Sequence, residues 1–363
     1  MYDIDNKYGL KIMKQIFRKM HLMELTVIST TKQTIKAQKR YLITAILCIC
    51  LIHIIGEIIP SFAKTENNGI TLFKQEKYLL AVSTLSKELI THPADPDINY
   101  FMGRSLLAIN RVDKAIIYLK EATKLSQDIP NYYFWLGVGY WANMEFENEK
   151  ESYLKALKIE PDHLTANLYL GHNYMDRNKW KAALSQYDRV LDIDPYVPEA
   201  LYNRALVFRY LKEKKNEKKA WLFYLNKYNY GKWALRATEA LNGYGDFSYR
   251  IYLLGPRKIV APAIEFEQGG SILKPNSMPV FQHLFKKIGN NTDYLIHVIA
   301  YVKGNHNIAK SRAIAIKAQI LEAFPTIEAS SVMVSWFDIS EKIIANGQTY
   351  YLTESIDVIS VKK

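Results

Sequence analysis

At 363 residues the chain has room for two or three domains, and with 49% hydrophobic residues it can bury a real core, which excludes wholesale disorder. The formal charge is +12, but residues 1–63 hold nine Lys/Arg and four Asp/Glu, a net +5, and the other 300 residues carry +7 interspersed with acids. That distribution argues against nucleic-acid binding, which needs a basic stripe with exposed aromatics; and with only Cys48 and Cys50 present, no disulfide framework or thiolate metal site is available after residue 50.

Residues 1–40 form a basic N-terminal segment, and 41–63 read as a signal peptide or membrane anchor. Lys36, Lys39 and Arg40 precede an apolar run from Tyr41 to Gly56 of about 16 residues. Pro60 follows, then Ser61 and Ala63, small residues at −3 and −1 of a cleavage point. The run is shorter than the roughly 20 residues that span a bilayer, and His53 and Glu57 fit a permanent span poorly. The 40 residues ahead of it exceed an ordinary signal's basic region, a discrepancy that a start at Met20 or Met23 removes. Three readings stay open: a cleaved export signal, an uncleaved anchor with its positive charges held inside, and a buried core helix. In the first two the rest of the chain faces away from the cytoplasm.

Residues 64–242 carry an internal repeat. Gly69, Gly103, Gly137 and Gly171 follow one another at intervals of 34 residues, with Ala205 at the next step. In phase with them run Ala81, Ala115 and Ala183, a series broken by Glu149. A bulky column (Leu85, Leu119, Tyr153, Tyr187, Trp221) and a proline column (Pro93, Pro161, Pro195) keep the same register. A period of this length marks stacked helical hairpins. The residue without bulk belongs where two helices cross closely, and the large side chain one helix later fills the space between hairpins. The proline ends the second helix because it cannot continue one.

At Leu170-Gly171, Tyr174, Trp180, Ala183, Tyr187 and Pro195 the chain resembles the tetratricopeptide repeat family. The frames are 62–95, 96–129, 130–163 and 164–197, with a weaker fifth over 198–231 that keeps Tyr202-Asn203-Arg204-Ala205. The resemblance implies an α-solenoid of helix hairpins whose concave groove, lined by the first helices, binds a protein or peptide. It places Tyr100, Arg104, Phe134, Trp141, His172, Met175, Tyr202, Arg209 and Tyr210 on that groove. Aromatics and Met beside two arginines suit a peptide with apolar anchors and an acidic group. The one dense basic cluster, Lys212, Lys214, Lys215, Lys218 and Lys219, reads as a solvated turn of the fifth repeat, with an anchor for lipid headgroups or another protein as the alternative.

Helical periodicity runs through Trp233–Leu241 and breaks at Gly243 and Gly245, so 243–258 is expected to be a linker ahead of an α/β domain over 259–363. Ile259–Ala261 and Ile264–Phe266 are strand-like, and Pro279–Ile288 reads as a helix with a basic end at Lys286 and Lys287. Leu295–Val302 is an apolar strand, Ile308–Phe324 a helix, and Val332–Trp336 and Ile356–Val361 two more strands. This β-α-β-α-β-β order makes an α/β sandwich with helices on one face of the sheet.

Ser271–Pro275, Val298–Tyr301 and, above all, Asn305–Ile316 carry a resemblance to the C-terminal domain of the outer-membrane protein A family over 259–361. The resemblance implies a peptidoglycan-associating module. A carboxylate after the strand receives the ammonium of diaminopimelate in the stem peptide, and an arginine takes a carboxylate with its planar fork of donors. Arg312 stands at the arginine position, but Lys303 replaces the acid and only Gly304 separates it from Asn305. A lysine cannot receive an ammonium, so a site of Arg312, Lys303 and Asn305 would favour an anion.

Catalytic constellations are absent from the sequence: no Gly-rich phosphate loop with Lys-Ser/Thr, no His-Glu-x-x-His, no Gly-x-Ser-x-Gly, and histidines without ligand spacing. The expectation is a non-enzymatic scaffold on the periplasmic side of a bacterial envelope, with neither cofactor nor metal. Its partners would be a protein or peptide in the repeat groove, peptidoglycan at the second domain, and the membrane if 41–59 are retained, with no nucleic acid. The alternatives are a true peptidoglycan tether with the repeats as spacer, or a membrane-anchored component of a secretion or assembly machine.

Overall fold

The structure, a computed structural model, describes residues 68–286 and 294–362. The expectations for 1–63 and for the basic end at Lys287 lie outside the described residues. Ten helices come first as five hairpins. They are α1 (Asn68–Lys74) and α2 (Tyr78–Thr91), α3 (Pro96–Ala108) and α4 (Val112–Leu125), α5 (Pro130–Ala142) and α6 (Phe146–Ile159), α7 (Leu164–Asp176) and α8 (Trp180–Ile193), α9 (Pro198–Tyr210) and α10 (Lys214–Lys227). A single helix, α11 (Gly231–Asn242), follows. The proline column falls where expected, two residues beyond the ends of α2, α6 and α8. A second set of prolines, Pro96, Pro130 and Pro198, opens α3, α5 and α9, where the missing N–H is no loss.

The glycine ladder is a contact ladder. A Cβ on Gly69 or Gly103 would lie 2.5 Å from Cγ of Leu85 or Leu119, and one on Gly137 would enter the Tyr153 ring. The large residue therefore covers the glycine of its own hairpin, rather than filling only the space between hairpins. A further 34-residue register appears in the backbone: Glu76, Asn110, Met144, Asn178 and Lys212 all hold φ between 58° and 61°. Each closes the first helix of a hairpin. At Met144 its own N–H bonds to Trp141 O and the next N–H, of Glu145, bonds to Tyr140 O, the paired bonds of a Schellman motif.

The chain divides into two compact units, one up to Asn173 and one from Tyr174 on. In the first unit α1 to α6 pack in succession. In the second, α8 to α11 do so, and the last of them packs with the sheet that follows. Leu201, Ala205, Trp221, Ala234 and Leu241 share one core with Val260 and the flanking Tyr249 and Ile251 of the sheet.

That sheet corrects the expected linker. Residues 249–254 of the 243–258 segment are β1 (Tyr249–Leu254), paired antiparallel with β2 (Arg257–Pro262) across Gly255, which holds φ +60°. Helix α12 (Met278–Lys286), β3 (Tyr294–Val302), α13 (His306–Ala323) and β4 (Val332–Phe337) follow near their expected places. The hairpin β5 (Glu341–Ala345) and β6 (Gln348–Leu352) and the long β7 (Glu354–Lys362) complete the chain. The sheet order is β2-β1-β7-β3-β4, with β1–β7 and β3–β4 parallel and β7–β3 antiparallel. Ile264–Phe266 is no strand; it holds a single bridge, Phe266 to Leu273.

Alternation along the strands separates two faces. Ile259, Ala261, Ile296, Val298, Ala300, Ile356 and Val358 pack with Val280, Phe281 and Leu284 of α12 and Ala313, Ile316 and Ile320 of α13. Val260 points instead into the core shared with α11. Helices therefore meet both faces, not one.

Candidate functional site

The nine expected groove residues separate into buried and accessible sets. In the first unit Tyr100, Arg104 and Phe134 are buried. Arg104 is enclosed by rings: its guanidinium carbon lies 4.0 Å from the Trp135 centroid, 4.7 Å from Phe73 and 5.3 Å from Tyr100, whose hydroxyl accepts from Nη1 at 3.0 Å. Phe134 stacks on Tyr153 and meets His163 and Tyr169 within 6 Å. These three side chains belong to the packing of the array. His172, tilted against Tyr169 at 5.4 Å, and Trp141 are half-buried.

In the second unit Tyr202 is buried, stacked on Trp233 at 5.0 Å. Met175 is half-buried and its sulfur accepts from the Tyr187 hydroxyl at 3.6 Å. Arg209 and Tyr210 are exposed, yet both already have protein neighbours. Tyr210 stacks on Trp180 at 4.1 Å, nearly coplanar at 7°. Arg209 Nε donates to Glu217 at 2.8 Å.

Glu217 explains the odd members of the alanine column. Glu149 and Glu217, 68 residues apart, both stand where alanine stands at 81, 115 and 183, and both are buried. Glu149 accepts from Asn173 Nδ2 at 2.8 Å. Glu217, only 1% exposed, accepts from Arg209, from Trp221 Nε1 at 3.0 Å and from the Tyr244 hydroxyl at 2.5 Å. Burial and that bond to the carboxylate push the Tyr244 phenol up to about 12. The second break in the series, at 217, was visible in the register, but its partner Tyr244 lies in what reads as a linker.

A cleft of about 220 Å³ in the α/β region is lined by Ile264, Glu265, Phe266, Lys274, Arg312, Glu354, Ser355 and Ile356. Arg312, placed by α13, is 3% exposed, so it is not a helix-surface residue. Its Nη1 donates to Glu354 Oε2 and its Nε to Gly270 O, each at 2.8 Å, while the Phe266 ring lies 4.9 Å from Cζ. Nη2 and the buried Ser355 Oγ have no hydrogen-bond partner among the described residues. Lys274 pairs with Glu265 at 2.9 Å on the rim. The lining thus holds two cations and two carboxylates, with an arginine nitrogen and a hydroxyl left over for a ligand.

Lys303 and Asn305 do not line it. Lys303 is exposed and its N–H donates to Thr353 O at 2.8 Å; Asn305 caps α13, its Oδ1 accepting from Ile308 N–H at 3.0 Å. The signal for Glu354 was its place in Thr353-Glu354-Ser355, at the start of the last strand. Among the described residues no group of three metal-ligating side chains occurs, and no helix is long and apolar enough to cross a membrane.

Comparison with known proteins agrees with the array. Family models for the tetratricopeptide repeat match residues 67–130 and 130–163, and one for the TPR repeat matches 171–209. Among curated proteins, BBSome complex member BBS4 of Xenopus tropicalis is 26% identical over 133 residues, 36% of this chain and 26% of that protein. The peroxisomal targeting signal receptor of Eremothecium gossypii is 25% identical over 144 residues, 35% of this chain and 25% of that protein. The chain spans about a quarter of the length of these relatives. Among solved structures, MamA is 20% identical with a TM-score of 0.40, covering 47% of this chain and 94% of that one. YrrB, a TPR protein with an unusual peptide-binding site, is 16% identical with a TM-score of 0.43, covering 47% and 88%. Residues 67–163 and 171–209 are tetratricopeptide repeats, a helical array followed by a sheet-containing region.

Proposed function

We propose that the protein is a non-enzymatic scaffold of a bacterial cell envelope, capturing a protein partner on its repeats and carrying a divergent outer-membrane protein A-like domain. The observation that carries the reading is the match of three repeat models in register with the glycine ladder. The names of two curated relatives, a complex member and a targeting-signal receptor, point the same way. The envelope setting and the periplasmic side rest on the sequence of 41–63 and on the resemblance of 259–361.

The expected groove side chains that keep solvent-exposed surface are Trp141 and His172 in the first unit and Met175 and Tyr210 in the second. Arg209 is withdrawn from that set because its removal would leave Glu217 short of a donor. Cross-linking and mass spectrometry of the intact protein in its host identifies the partner. Trp141→Ala and Tyr210→Ala are expected to weaken capture with the circular dichroism spectrum intact, and undiminished capture in both would sink the assignment.

A second reading, a tether to peptidoglycan, is favoured by the spare donors of the Arg312 cleft. Glu354 supplies next to Arg312 the carboxylate that Lys303 cannot. Co-sedimentation with purified sacculi tests it, with Ser355→Ala and Lys274→Ala expected to lower binding and the absence of any binding by the parent protein to remove it.

A further inference from the structure

We infer that the exposed face of α10 docks on an anionic lipid bilayer. The helix buries Glu217, Ala220, Trp221, Tyr224 and Leu225. What it exposes is Lys214, Lys215, Lys219 and Lys227, two asparagines and Phe223, with Lys212 joining from the turn before it beside one exposed acid, the N-cap Glu213, which accepts from Asn216 Nδ2. No carboxylate within the helix faces solvent, since Glu217 is its one acid and is buried. Lys218 is neutralised by Asp246 at 2.8 Å. Lys212, Lys214, Lys215 and Lys219 form no ion pair among the described residues.

This placement is unfavourable for the isolated protein. Lys214 and Lys215 stand in the first turn, where the helix dipole already concentrates positive charge. The two matching positions of α6 are Phe146 and Glu147, and the one acid in the first turn of α10, Glu217, is buried against Arg209, Trp221 and Tyr244. The exposed faces of α4, α6 and α8 mix signs, with Asp113 beside Lys114, Glu151 beside Lys155 and Asp192 beside Arg189. A merely solvated helix has no reason to depart from that mixture. The charge on α10 calls for an anion from outside.

Three features favour a bilayer over an acidic protein or a nucleic acid. The cations are all lysines, mobile point charges without the planar fork that grips one carboxylate or phosphate at a time. They are spread along the whole helix, about 20 Å at 1.5 Å per residue, which suits a flat field of charge better than a pocket. Phe223, 44% exposed, stands four residues after Lys219 and eight after Lys215, on the same stripe. An apolar ring among lysines belongs at the boundary between headgroups and acyl chains.

The test is flotation of the full-length protein with vesicles of phosphatidylcholine alone or mixed with phosphatidylglycerol. The readout is the excess of binding to the anionic over the neutral vesicles, because an apolar segment such as 41–59 contributes to both. The excess is expected to fall with added salt. It should drop about 100- to 1,000-fold when Lys212→Gln, Lys214→Gln, Lys215→Gln and Lys219→Gln are combined, at roughly one kcal/mol for each lysine. Phe223→Ser, a second variant on an exposed position, should lower it several-fold and leave its salt dependence unchanged. A combined variant that is folded and keeps the excess overturns the inference. So does a parent protein that binds polyglutamate or a duplex oligonucleotide more tightly than the anionic vesicles.

Discussion

Two carboxylates, one buried in the array and one half-buried in the sheet region, show how differently the two parts of the molecule treat polar groups. Glu217 receives three donors, from Arg209, Trp221 and Tyr244. Among the described residues Asp357 on β7 receives one hydrogen bond, from the N–H of Val358, beside an Arg250 that already bonds both oxygens of Glu341 at 2.7 and 2.9 Å. A satisfied buried charge fixes geometry, because removing it strands its donors. An undersupplied one works against the fold at any pH where it is ionised. The comparison can be broken at either end.

The largest effect is expected at Glu217. Glu217→Ala restores the alanine of the column, and on column logic alone it should be harmless. The hydrogen bonds say otherwise: it strands the buried Trp221 Nε1–H and removes the partners of Arg209 and Tyr244. A loss of about 3 kcal/mol in urea unfolding is expected, toward the lower end for a buried ion pair because Arg209 is 44% exposed. A neutral result would mean that these groups find water instead.

Next in size is Gly137→Ala. The new methyl would enter the ring of Tyr153, which is fully buried and has no room to turn. Overpacking of this kind costs about 1–3 kcal/mol. Gly103→Ala meets Cγ and Cδ2 of the buried Leu119 and the Ala115 carbonyl at 3.1 Å, and should cost less only as far as a leucine can change rotamer where a packed ring cannot. Equal losses at both sites would show that the crossing distance, not the facing side chain, sets the limit.

These residues also mark what was legible in the sequence. The array was, because each column is written three to five times and the positions that never carry bulk stand out. The groove was not. An aromatic on a first helix serves a ligand or a neighbouring helix equally well, and Tyr100, Phe134 and Tyr202 proved to serve neighbours. In the sheet region β3 and α13 stood out by their unbroken apolar pattern. β1 did not, since its parallel partner β7 lies more than a hundred residues away and glycines flank it. The β5–β6 hairpin was readable: Asn346-Gly347, with φ of 54° and 75°, is the strongest short hairpin signal there is. For the cleft, Arg312 was found from a motif, while Glu354 and Ser355 come from a strand distant in sequence and only folding brings them beside it.

At Asp357 the expected effect depends on pH. Burial, with the charge of Glu341 added, raises its carboxyl above the ordinary 3.8, and Arg250 only partly opposes this. The folded protein therefore holds the proton more tightly than the unfolded chain. The stabilisation is fully present below the ordinary value and is lost as pH rises through the folded-state value. At neutral pH the ionised group is a net liability. Asp357→Asn should thus raise the thermal midpoint at neutral pH, and the advantage should vanish toward acid. A parent protein more stable than the variant at neutral pH would show that Arg250 compensates Asp357 as fully as three donors compensate Glu217.

The smallest effect tests the backbone register that the array repeats five times. Met144 holds φ 60° at the end of α5, a left-handed conformation that crowds the Cβ of an L-residue, and its side chain is largely exposed. Both Schellman hydrogen bonds there are made by the backbone, so the methionine side chain is not needed for them. Met144→Gly relieves the crowding but gives the unfolded chain more freedom, which leaves a net gain of about 0.5–1 kcal/mol. Asn110→Gly, at the same position one repeat earlier, should gain less, because asparagine already tolerates this conformation. Chemical unfolding of the two variants side by side decides the matter. If Met144→Gly destabilises, then the methionine packs on the turn despite its exposure, and the strain in this register is offset locally at each repeat and not by the stacking of the array.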